Sequence, residues 1–517
     1  MIGPSTSINS DLPCSYRVMY EWSFIASQYS QLSDHQSTRS TAMWAFCKVA
    51  LSCALLACCA IACLSVAEAR YKIGVDYGQL GNNLPSPTHA VALIKSLHIG
   101  HVKIYDANPA ILRALSGTKI TVTVMVTDAE VPQLAVSQKV ADLWVKNNVS
   151  AYFPQTRIRT ILVGNELLSD INQKQTWTQI VPAMRNLRRA LIRNGRLHHK
   201  IKVSTPLALD MLEGSAVLPP SNATFRDDVR ETVMRPMLRF LYKTRAPLFV
   251  DAYSYFEWAN NAADVPLGMA LFEESERGAY LDNGSGLRYD NLLDIQLDAV
   301  IAAMEDVGYG GVKLTLSETG WPTAEGRDER GGNIHNAALY NRRLVRKMLA
   351  HPAIGTPRRP GRHIPTFIFA LFNENEKPGP VTERNWGLLY PNGTRVYEVD
   401  LTGKEPDASY PPLPPAPIEP APGSQRFWCV ANSSASISDL EGGIQYACAQ
   451  AENLCAPLQE GQPCFEPNTT LSHASFAFNA YYVKFKAVGG SCAFGGAAVL
   501  TTEDPSYASC KYSPLIF

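Results

Sequence analysis

The stretch Arg159-Thr160-Ile161-Leu162-Val163-Gly164-Asn165-Glu166 is the best guide to the architecture of this protein. An apolar, β-branched run that stops at a glycine is typical of a buried strand. The segment that follows, Thr178–Arg193, repeats apolar residues at spacings of three and four, which predicts an amphipathic helix. Together the two segments predict one strand–helix unit.

The same alternation recurs along the chain from Arg70 to about Asp400. The predicted strands are Tyr71–Val75, His101–Tyr105, Ile120–Val126, Arg159–Val163, Ile201–Ser204, Leu248–Ala252, Val312–Ser317 and Ile364–Leu371. The helical patterns between them include Pro87–Leu97, Ala135–Lys146, Thr178–Arg193, Val229–Tyr242, Asn291–Val307 and Asn336–Leu349. Eight such units predict an α/β fold of the (β/α)8 TIM barrel type. A doubly wound open sheet is the alternative, but no glycine-rich phosphate motif follows a strand.

The composition changes after the barrel region. Residues 401–426 are a Pro-rich linker, with eight prolines between Pro406 and Pro422. Such a segment favours polyproline II and acts as a semi-rigid spacer. We therefore expect a catalytic domain at 70–400 and a small Cys-rich domain at 427–517.

The cysteines divide into two groups. Six lie before residue 64, and six lie after residue 428: Cys429, Cys448, Cys455, Cys464, Cys492 and Cys510. The density of the second group predicts a disulfide-stapled module made in an oxidising compartment. A zinc site is the alternative, but the cluster contains no C-x-x-C pair. Six cysteines allow fifteen pairings, and spacing does not choose among them.

The N-terminal region predicts secretion. Residues 43–69 hold an apolar run that ends in Ala67-Glu68-Ala69, which is typical of a cleaved signal peptide. Residues 1–42 form an extension that translation from Met43 would omit. A membrane anchor is the alternative for the apolar run. Six N-x-[ST] sequons and the lack of a hydrophobic C-terminal tail favour a secreted, extracellular glycoprotein without a stable membrane anchor.

The overall composition excludes two classes of protein. The chain has 517 residues, of which 46% are hydrophobic and 18% charged, so it is not generically disordered. Its 47 basic and 47 acidic side chains balance, so nucleic acid is not an expected partner. We expect a monomer.

Two glutamates stand where chemistry is expected in a barrel. Glu166 follows the fourth predicted strand and Glu318 follows the seventh. Catalytic groups of these barrels come from the C-terminal ends of strands, and strands four and seven lie nearly opposite each other. Two facing carboxyl groups are what glycoside hydrolysis requires, although a solvated surface charge is the ordinary role of a single glutamate.

Five motifs in barrel order carry a family resemblance. They are Ile73–Pro85, Lys103–Pro109, Val163–Glu166, Ser317–Pro322 and Phe372–Lys377. Together they resemble the plant endo-β-1,3-glucanases of glycoside hydrolase family 17. The resemblance implies a retaining double displacement with Glu318 as the nucleophile and Glu166 as the acid/base. Such a double displacement needs no cofactor, and the sequence lacks the His-x-His and H-E-x-x-H patterns of a metal site.

The resemblance also suggests supporting residues. Asn165 would bind the sugar 2-hydroxyl, while Glu374, Lys377 and Glu383 would either act directly or form a supporting salt-bridge network. Candidate sugar-stacking residues, for which core packing is the alternative, are Tyr77, Tyr105, Tyr253, Tyr255 and Trp321. Many relatives carry Asn where this chain has Asp76.

The C-terminal region resembles a carbohydrate-binding module of family 43. The matching segments are Trp428–Ala431, Cys464–Asn468, Ser472–Asn479, Cys492–Gly496 and Asp504–Cys510, and all six cysteines are present. The implied ligand is β-1,3-glucan, and one of the neighbours Tyr481 and Tyr482 would serve it. Two alternatives to hydrolysis stay open, a β-1,3-glucanosyltransferase and a non-hydrolytic glucan-binding wall protein.

Overall fold

Eight parallel strands form the first part of the structure. The computed structural model describes residues 73–214, 218–273, 280–417, 425–486 and 490–516. The strands are β1 Gly74–Asp76, β2 His101–Lys103, β3 Thr121–Val126, β4 Arg157–Val163, β5 Lys202–Ser204 continued by Pro206–Ala208, β6 Leu248–Asp251, β7 Leu314–Glu318 and β8 Phe367–Ile368. Each falls within or next to a predicted run.

The strands close into a barrel. One hydrogen-bonded sheet has the order β8-β1-β2-β3-β4-β5, and a second joins the continuation of β5 to β6 and β7. A parallel bridge between Leu316 and Thr366 connects β7 to the segment just before β8. The ring is therefore complete, and the predicted TIM barrel is confirmed.

Helices lie between the strands, as expected for this fold. They are α1 Pro87–Ser96, α2 Pro109–Ala114, α3 Val131–Val136, α4 Gln138–Val145, α5 Ile180–Arg193, α6 Arg235–Thr244, α7 Leu292–Asp306 and α8 Ile334–Leu349, with shorter helices at Lys174–Trp177, Asp227–Val229, Ser254–Asn260 and Leu267–Ala270. Two small hairpins pair Tyr280–Leu281 with Arg288–Tyr289 and Gly355–Thr356 with Arg359–Pro360.

One predicted helix is interrupted. The single helix expected over 135–146 is split, because Ser137 adopts an extended conformation between α3 and α4. The Ser137 side chain accepts a hydrogen bond from the backbone N–H of Val140 and so caps α4. Serine satisfies the free donors at a helix start, and this local gain offsets the loss of a continuous helix.

The barrel interior determines which residues reach the mouth. A compact interior cluster contains Met125, Leu162, Phe249 and Phe367, which come from β3, β4, β6 and β8. Side chains alternate along a strand, so the residue two positions after Phe249 also points inward, nearer the mouth. That residue is Asp251, the last of β6. A polar group is thus built into the inner wall.

The C-terminal region folds around a three-stranded antiparallel sheet and two helices. Strand β9 Arg426–Ala431 lies between β10 Ala498–Thr501 and β11 Leu515–Ile516, and the helices are α9 Ile437–Ala449 and α10 Thr470–Phe485. Three disulfides join Cys429 to Cys492, Cys448 to Cys455 and Cys464 to Cys510. The disulfide prediction is confirmed, and the pairing is resolved.

The module and the linker both contact the barrel. The Pro414 carbonyl accepts a hydrogen bond from His335 on α8 at 2.8 Å. On α10 and just beyond it, the Tyr482 hydroxyl and the Lys486 ammonium bind the carboxylate of Asp328, at 2.9 and 2.7 Å. Asp328 lies in the loop after β7, so the contact reaches the side of the barrel that carries Glu318.

The predicted N-terminal segments, 1–42 and 43–69, lie outside the described residues. Within the ranges that are described, no helix is both long enough and apolar enough to cross a bilayer. The longest helices there are α8 and α10, of 16 residues each.

Candidate active site

Glu318 and Glu166 both stand at the C-terminal side of the barrel strands. Glu318 is the last residue of β7, and the pairing register with β6 shifts between Leu316 and Glu318. Such irregularities redirect a side chain beside an active site. Glu166 lies three residues beyond β4 and has a φ of 48°, in the left-handed region that non-glycine residues rarely adopt.

A tight turn holds Glu166 in this conformation. Gly164 has a φ of 70°, and a Cβ there would lie 2.3 Å from the Leu167 side chain, so only glycine fits. Asp128 accepts a hydrogen bond from the Asn165 backbone N–H at 2.8 Å. Asp128 was not predicted as a site residue, although its position just after β3, at the mouth of the barrel, is a signal for one.

Three donors surround the Glu318 carboxylate. Lys103 Nζ and the Tyr105 hydroxyl each donate to Oε1 at 2.6 Å, and the Tyr253 hydroxyl donates to Oε2 at 2.7 Å. Glu318 is 5% exposed and Lys103 is fully buried. Charge-assisted hydrogen bonds of this kind hold a carboxylate ionised and fix its orientation.

The two glutamates titrate in opposite directions. Burial alone would raise the pKa of Glu318, but the Lys103 charge and the hydrogen bonds from Lys103, Tyr105 and Tyr253 outweigh it and hold that pKa below its ordinary value. Burial, and next the Glu318 charge, raise the pKa of Glu166 to about 8. Near neutral pH one carboxyl is ionised while the other keeps its proton.

Further buried acids line the same mouth. Asp76, at the end of β1, lies 3.3 Å from Lys103 Nζ, and neither side chain is exposed. Asp251, at the end of β6, is 2% exposed. Burial raises the pKa of both aspartates, with Glu318 adding to the effect. Lys103 and Asp251 were not predicted as site residues, although each lies within a predicted strand and ends the strand that the structure shows.

Glu374, Lys377 and Glu383 lie beside this cluster and contact protein groups. Glu374 is 4% exposed and accepts a hydrogen bond from the Leu80 backbone N–H at 2.7 Å. A Cβ at Gly78 would lie 2.3 Å from that carboxylate, so glycine permits the close approach. Lys377 pairs with Glu383 at 2.9 Å. These contacts join the three side chains to protein groups at the barrel mouth.

The aromatic candidates separate by exposure. Tyr77, Tyr255 and Trp321 are almost fully buried, and Trp321 donates its indole N–H to the Gly331 carbonyl at 2.6 Å. They therefore support the mouth instead of presenting an open face. Tyr105 and Tyr253 are half-buried and bind Glu318. Phe256, next to Tyr253 and 39% exposed, is the better placed surface for stacking on a sugar.

Asn165 offers an unused acceptor next to Glu166. Its side-chain oxygen is buried and has no hydrogen-bond partner among the described residues. Buried polar atoms are nearly always satisfied, so an exception at a site suggests a ligand group. A sugar hydroxyl is a donor of the right kind.

The module carries an aromatic surface of its own, formed by Tyr446, Tyr481 and Phe494. Tyr446 is 52% exposed and lies 5.5 Å, ring centre to ring centre, from Tyr481. Phe494 completes the surface at 5.3 Å from Tyr481. Tyr482 is fully buried, so Tyr481 is the one of the two adjacent tyrosines that faces outward.

The sequence comparisons match both parts of the chain. Residues 73–401 match the Glycosyl hydrolases family 17 profile, and residues 427–499 match the X8 domain. The chain is 46% identical to the probable glucan endo-1,3-beta-glucosidase A6 of Arabidopsis thaliana, over 85% of this chain and 91% of that protein. It is 36% identical to the glucan endo-1,3-beta-D-glucosidase of Olea europaea, over 86% and 94% of the two chains.

Solved structures agree with the barrel assignment. CJP38, a beta-1,3-glucanase and allergen of Cryptomeria japonica pollen, is 38% identical, with a TM-score of 0.59 over 64% of this chain and 99% of its own. A plant beta-glucan endohydrolase structure is also 38% identical, with a TM-score of 0.57 over 63% of this chain and all of its own. The profile match and these relatives show that the chain belongs to glycoside hydrolase family 17 and is a glycoside hydrolase with an added X8 domain.

Proposed function

We propose that this protein is a glucan endo-1,3-β-glucosidase that cleaves internal bonds of β-1,3-glucan with retention of configuration. The observation that carries the proposal is the pair of glutamates at the C-terminal ends of β4 and β7, where three donors bind Glu318 and lower its pKa while burial raises the pKa of Glu166. A retaining glycosidase needs one ionised and one protonated carboxyl group. The named relatives are glucan endo-1,3-β-glucosidases, which supports the choice of linkage.

In the first step Glu318 attacks the anomeric carbon. Its carboxylate oxygen forms the new bond while the glycosidic bond breaks, and Glu166 gives its proton to the leaving oxygen. Lys103, Tyr105 and Tyr253 orient the attacking carboxylate, which enters already ionised. The products of this step are a glycosyl ester on Glu318 and a shortened glucan.

In the second step Glu166 acts as a base. The Glu166 carboxylate removes a proton from water, the water oxygen attacks the anomeric carbon, and the ester bond to Glu318 breaks. Two inversions at one carbon give net retention. The unused oxygen of Asn165 would accept a hydrogen bond from the sugar 2-hydroxyl, a contact that strengthens in the transition state.

We assign catalysis to residues 70–400 and glucan capture to the module at 427–517, with 401–426 as the linker. Tyr446 is 52% exposed and its neighbours Tyr481 and Phe494 are half-buried, and aromatic faces of this kind stack on sugar rings. Joining a binding surface to a hydrolase raises the local concentration of an insoluble polymer. The disulfides and the predicted signal peptide favour a secreted protein that acts in the cell wall.

The test is an assay of the purified protein on curdlan, laminarin, barley mixed-linkage glucan and cellulose, with product analysis. We expect release of short oligosaccharides from curdlan and laminarin and little from cellulose. Longer products formed from laminarin oligosaccharides would instead identify a glucanosyltransferase. Glucan binding without any bond cleavage would identify a binding protein and overturn the proposal.

A further inference from the structure

Gln296 is a buried amide on α7 that the reaction described above does not use. Most of the buried side chains of α7 are apolar, and Gln296, which is 1% exposed, lies among them. Burying an amide costs free energy unless its polar atoms are hydrogen-bonded, so the partners of this side chain explain its presence. Those partners lie at the barrel mouth, in the segment that follows β6.

The amide of Gln296 holds the turn that follows β6. Its Nε2 donates to the Tyr253 carbonyl at 3.1 Å, and the Ser254 hydroxyl donates to its Oε1 at the longer distance of 3.5 Å. Tyr253 is extended, with a φ of -117° and a ψ of 106°, and it precedes the short helix Ser254–Asn260. One side chain of α7 therefore contacts two consecutive residues of this turn.

Tyr253 is the residue through which this turn reaches the nucleophile. Its hydroxyl donates to Glu318 Oε2 at 2.7 Å, whereas Lys103 and Tyr105 both donate to Oε1. Its ring packs edge-on against Trp386, with 5.1 Å between the ring centres. Packing limits the tilt of the ring, while the position of the hydroxyl depends on where the backbone of the turn lies.

The backbone before Tyr253 is tied to the nucleophile strand. The Ala252 N–H donates to the Glu318 carbonyl at 3.0 Å, so β7 fixes the residue that precedes Tyr253. The carbonyl of Tyr253 itself is held by Gln296. Loss of the bond from Gln296 would remove one of these two anchors, and a small backbone shift would then displace the hydroxyl at the far end of the ring.

We propose that Gln296 is the positioning residue of Tyr253 and, through Tyr253, of the Glu318 carboxylate. The inference rests on the proposed role of Glu318 as the nucleophile. Gln296 is too deeply buried to touch a substrate, so its contribution is to the geometry of the attacking group. A misplacement of about 1 Å in a reacting group costs up to about a hundredfold in rate, and this sets the upper limit of the effect.

Removing the donor of Gln296 should slow the reaction without weakening substrate binding. Gln296→Met keeps a similar length and volume but has no N–H, and we expect kcat on laminarin to fall by about threefold to thirtyfold with KM nearly unchanged. Gln296→Glu keeps a donor for the Tyr253 carbonyl, because a carboxyl group buried at this position holds its proton. Its kcat at about pH 5 should stay within about threefold of that of the unsubstituted enzyme.

Asn341→Leu is the matched control. Asn341 is a fully buried amide on α8, and its Nδ2 donates to the Tyr397 hydroxyl at 2.6 Å. Loss of this bond should lower the melting temperature and leave kcat and the pH profile unchanged. Thermal melting of every variant shows whether it folds, and Gln296→Leu takes the place of Gln296→Met if the latter does not.

A double-mutant cycle and a pH profile show whether Gln296 acts through Tyr253. Tyr253→Phe alone removes the bond to Glu318, and adding Gln296→Met should then lower kcat by less than about twofold more. The acid limb of kcat/KM should move up by about half a pH unit in Gln296→Met, because a weaker bond from Tyr253 raises the pKa of Glu318. The other ionisable groups that face Glu318 are unchanged in that variant, namely Lys103, Tyr105, Asp76, Asp251, Glu166 and Glu374.

The outcomes are distinct. Normal kcat in Gln296→Met, equal losses in the unsubstituted and Tyr253→Phe backgrounds, or an acid limb that does not move would each overturn the role of Gln296. So would a Gln296→Glu enzyme as slow as Gln296→Met under the acidic conditions. Full activity of Glu318→Gln would instead overturn the nucleophile assignment, whatever the Gln296 variants do.

Discussion

The barrel and the C-terminal module are stabilised by different means. The barrel has no cysteine within its described residues and buries a continuous apolar core from Ile73 to Leu401. The module has two small core clusters and three disulfides. A large core excludes enough water to shift pKa values by burial, while a small domain depends on covalent links. Chemistry is accordingly expected in the barrel and adhesion in the module.

Loss of the nucleophile should abolish hydrolysis by the barrel and leave glucan binding by the module intact. Glu318→Gln removes the attacking oxygen, and we expect kcat on laminarin to fall by about 10⁴-fold or more. Binding to insoluble glucan in a pull-down should not change. Glu305→Gln, which alters a surface glutamate paired with Arg358, is the matched control. Residual activity close to normal would mean that another residue forms the covalent bond.

Loss of a disulfide should weaken glucan binding by the module and leave hydrolysis by the barrel intact. Replacing Cys429 and Cys492 by Ser opens a link of sequence separation 63, and we expect the module to lose about 2–5 kcal/mol of unfolding free energy. Glucan pull-down should weaken while laminarin hydrolysis persists. Replacing Cys448 and Cys455, which are only 7 residues apart, should cost less. Equal loss of laminarin hydrolysis would show that the two regions do not fold independently.

Replacing the buried Lys103 tests how the barrel core controls the pKa of Glu318. Lys103→Met removes the charge that holds the pKa of Glu318 low, so the acid limb of kcat/KM should move up by about one to three pH units. The unsubstituted enzyme should lose activity on its alkaline side near pH 8, where Glu166 gives up its proton. Lys347→Met, which breaks a buried ion pair on α8, should leave the acid limb in place. An unmoved limb in Lys103→Met would contradict the assignment.

The aromatic surface of the module should govern adhesion more weakly. Tyr446→Ala removes an exposed ring, and we expect glucan affinity to fall by about threefold to tenfold. Tyr242→Ala, at a tyrosine 61% exposed on the barrel, should not change affinity. Binding isotherms on insoluble curdlan measure both. Identical affinities in the two variants would place the glucan elsewhere on the module.

The contact between the regions should have the smallest effect. Asp328→Asn weakens the bonds from Tyr482 and Lys486, and we expect the melting temperature of the module to fall by about 4 °C, corresponding to about 1 kcal/mol. Asp306→Asn, which alters a more exposed pair with Arg230, is the control. Calorimetry measures both, and an unchanged melting temperature in Asp328→Asn would mean that the contact contributes no stability.

The order of the strands and helices could be predicted because it depends on the local periodicity of apolar residues. Each of the eight barrel strands lies within or next to a predicted run, since a strand buried on both faces has an apolar composition. The break at Ser137 could not be predicted, because a single serine fits both a helix and a cap. The choice depends on packing of the neighbouring segments.

The site was predictable in part for a similar reason. Glu166 and Glu318 are visible as acids at strand ends, whereas the bond from Lys103 on β2 to Glu318 on β7 depends on which strands face each other across the closed ring. The exposure of each tyrosine also follows from packing, as the difference between Tyr481 and the adjacent Tyr482 shows. Neighbours along the chain therefore differ in role although their local sequence is the same.

The anchoring of the module at Asp328 changes how the distance between capture and cleavage is determined. In a protein with two freely tethered parts, that distance would vary with the length of the connecting chain. Here, while the bonds of Tyr482 and Lys486 to Asp328 are formed, that distance is set by the folded contact and not by the length of the Pro-rich segment alone. A glucan bound by the module in that arrangement would be cut at a distance from the binding surface that the folded contact determines.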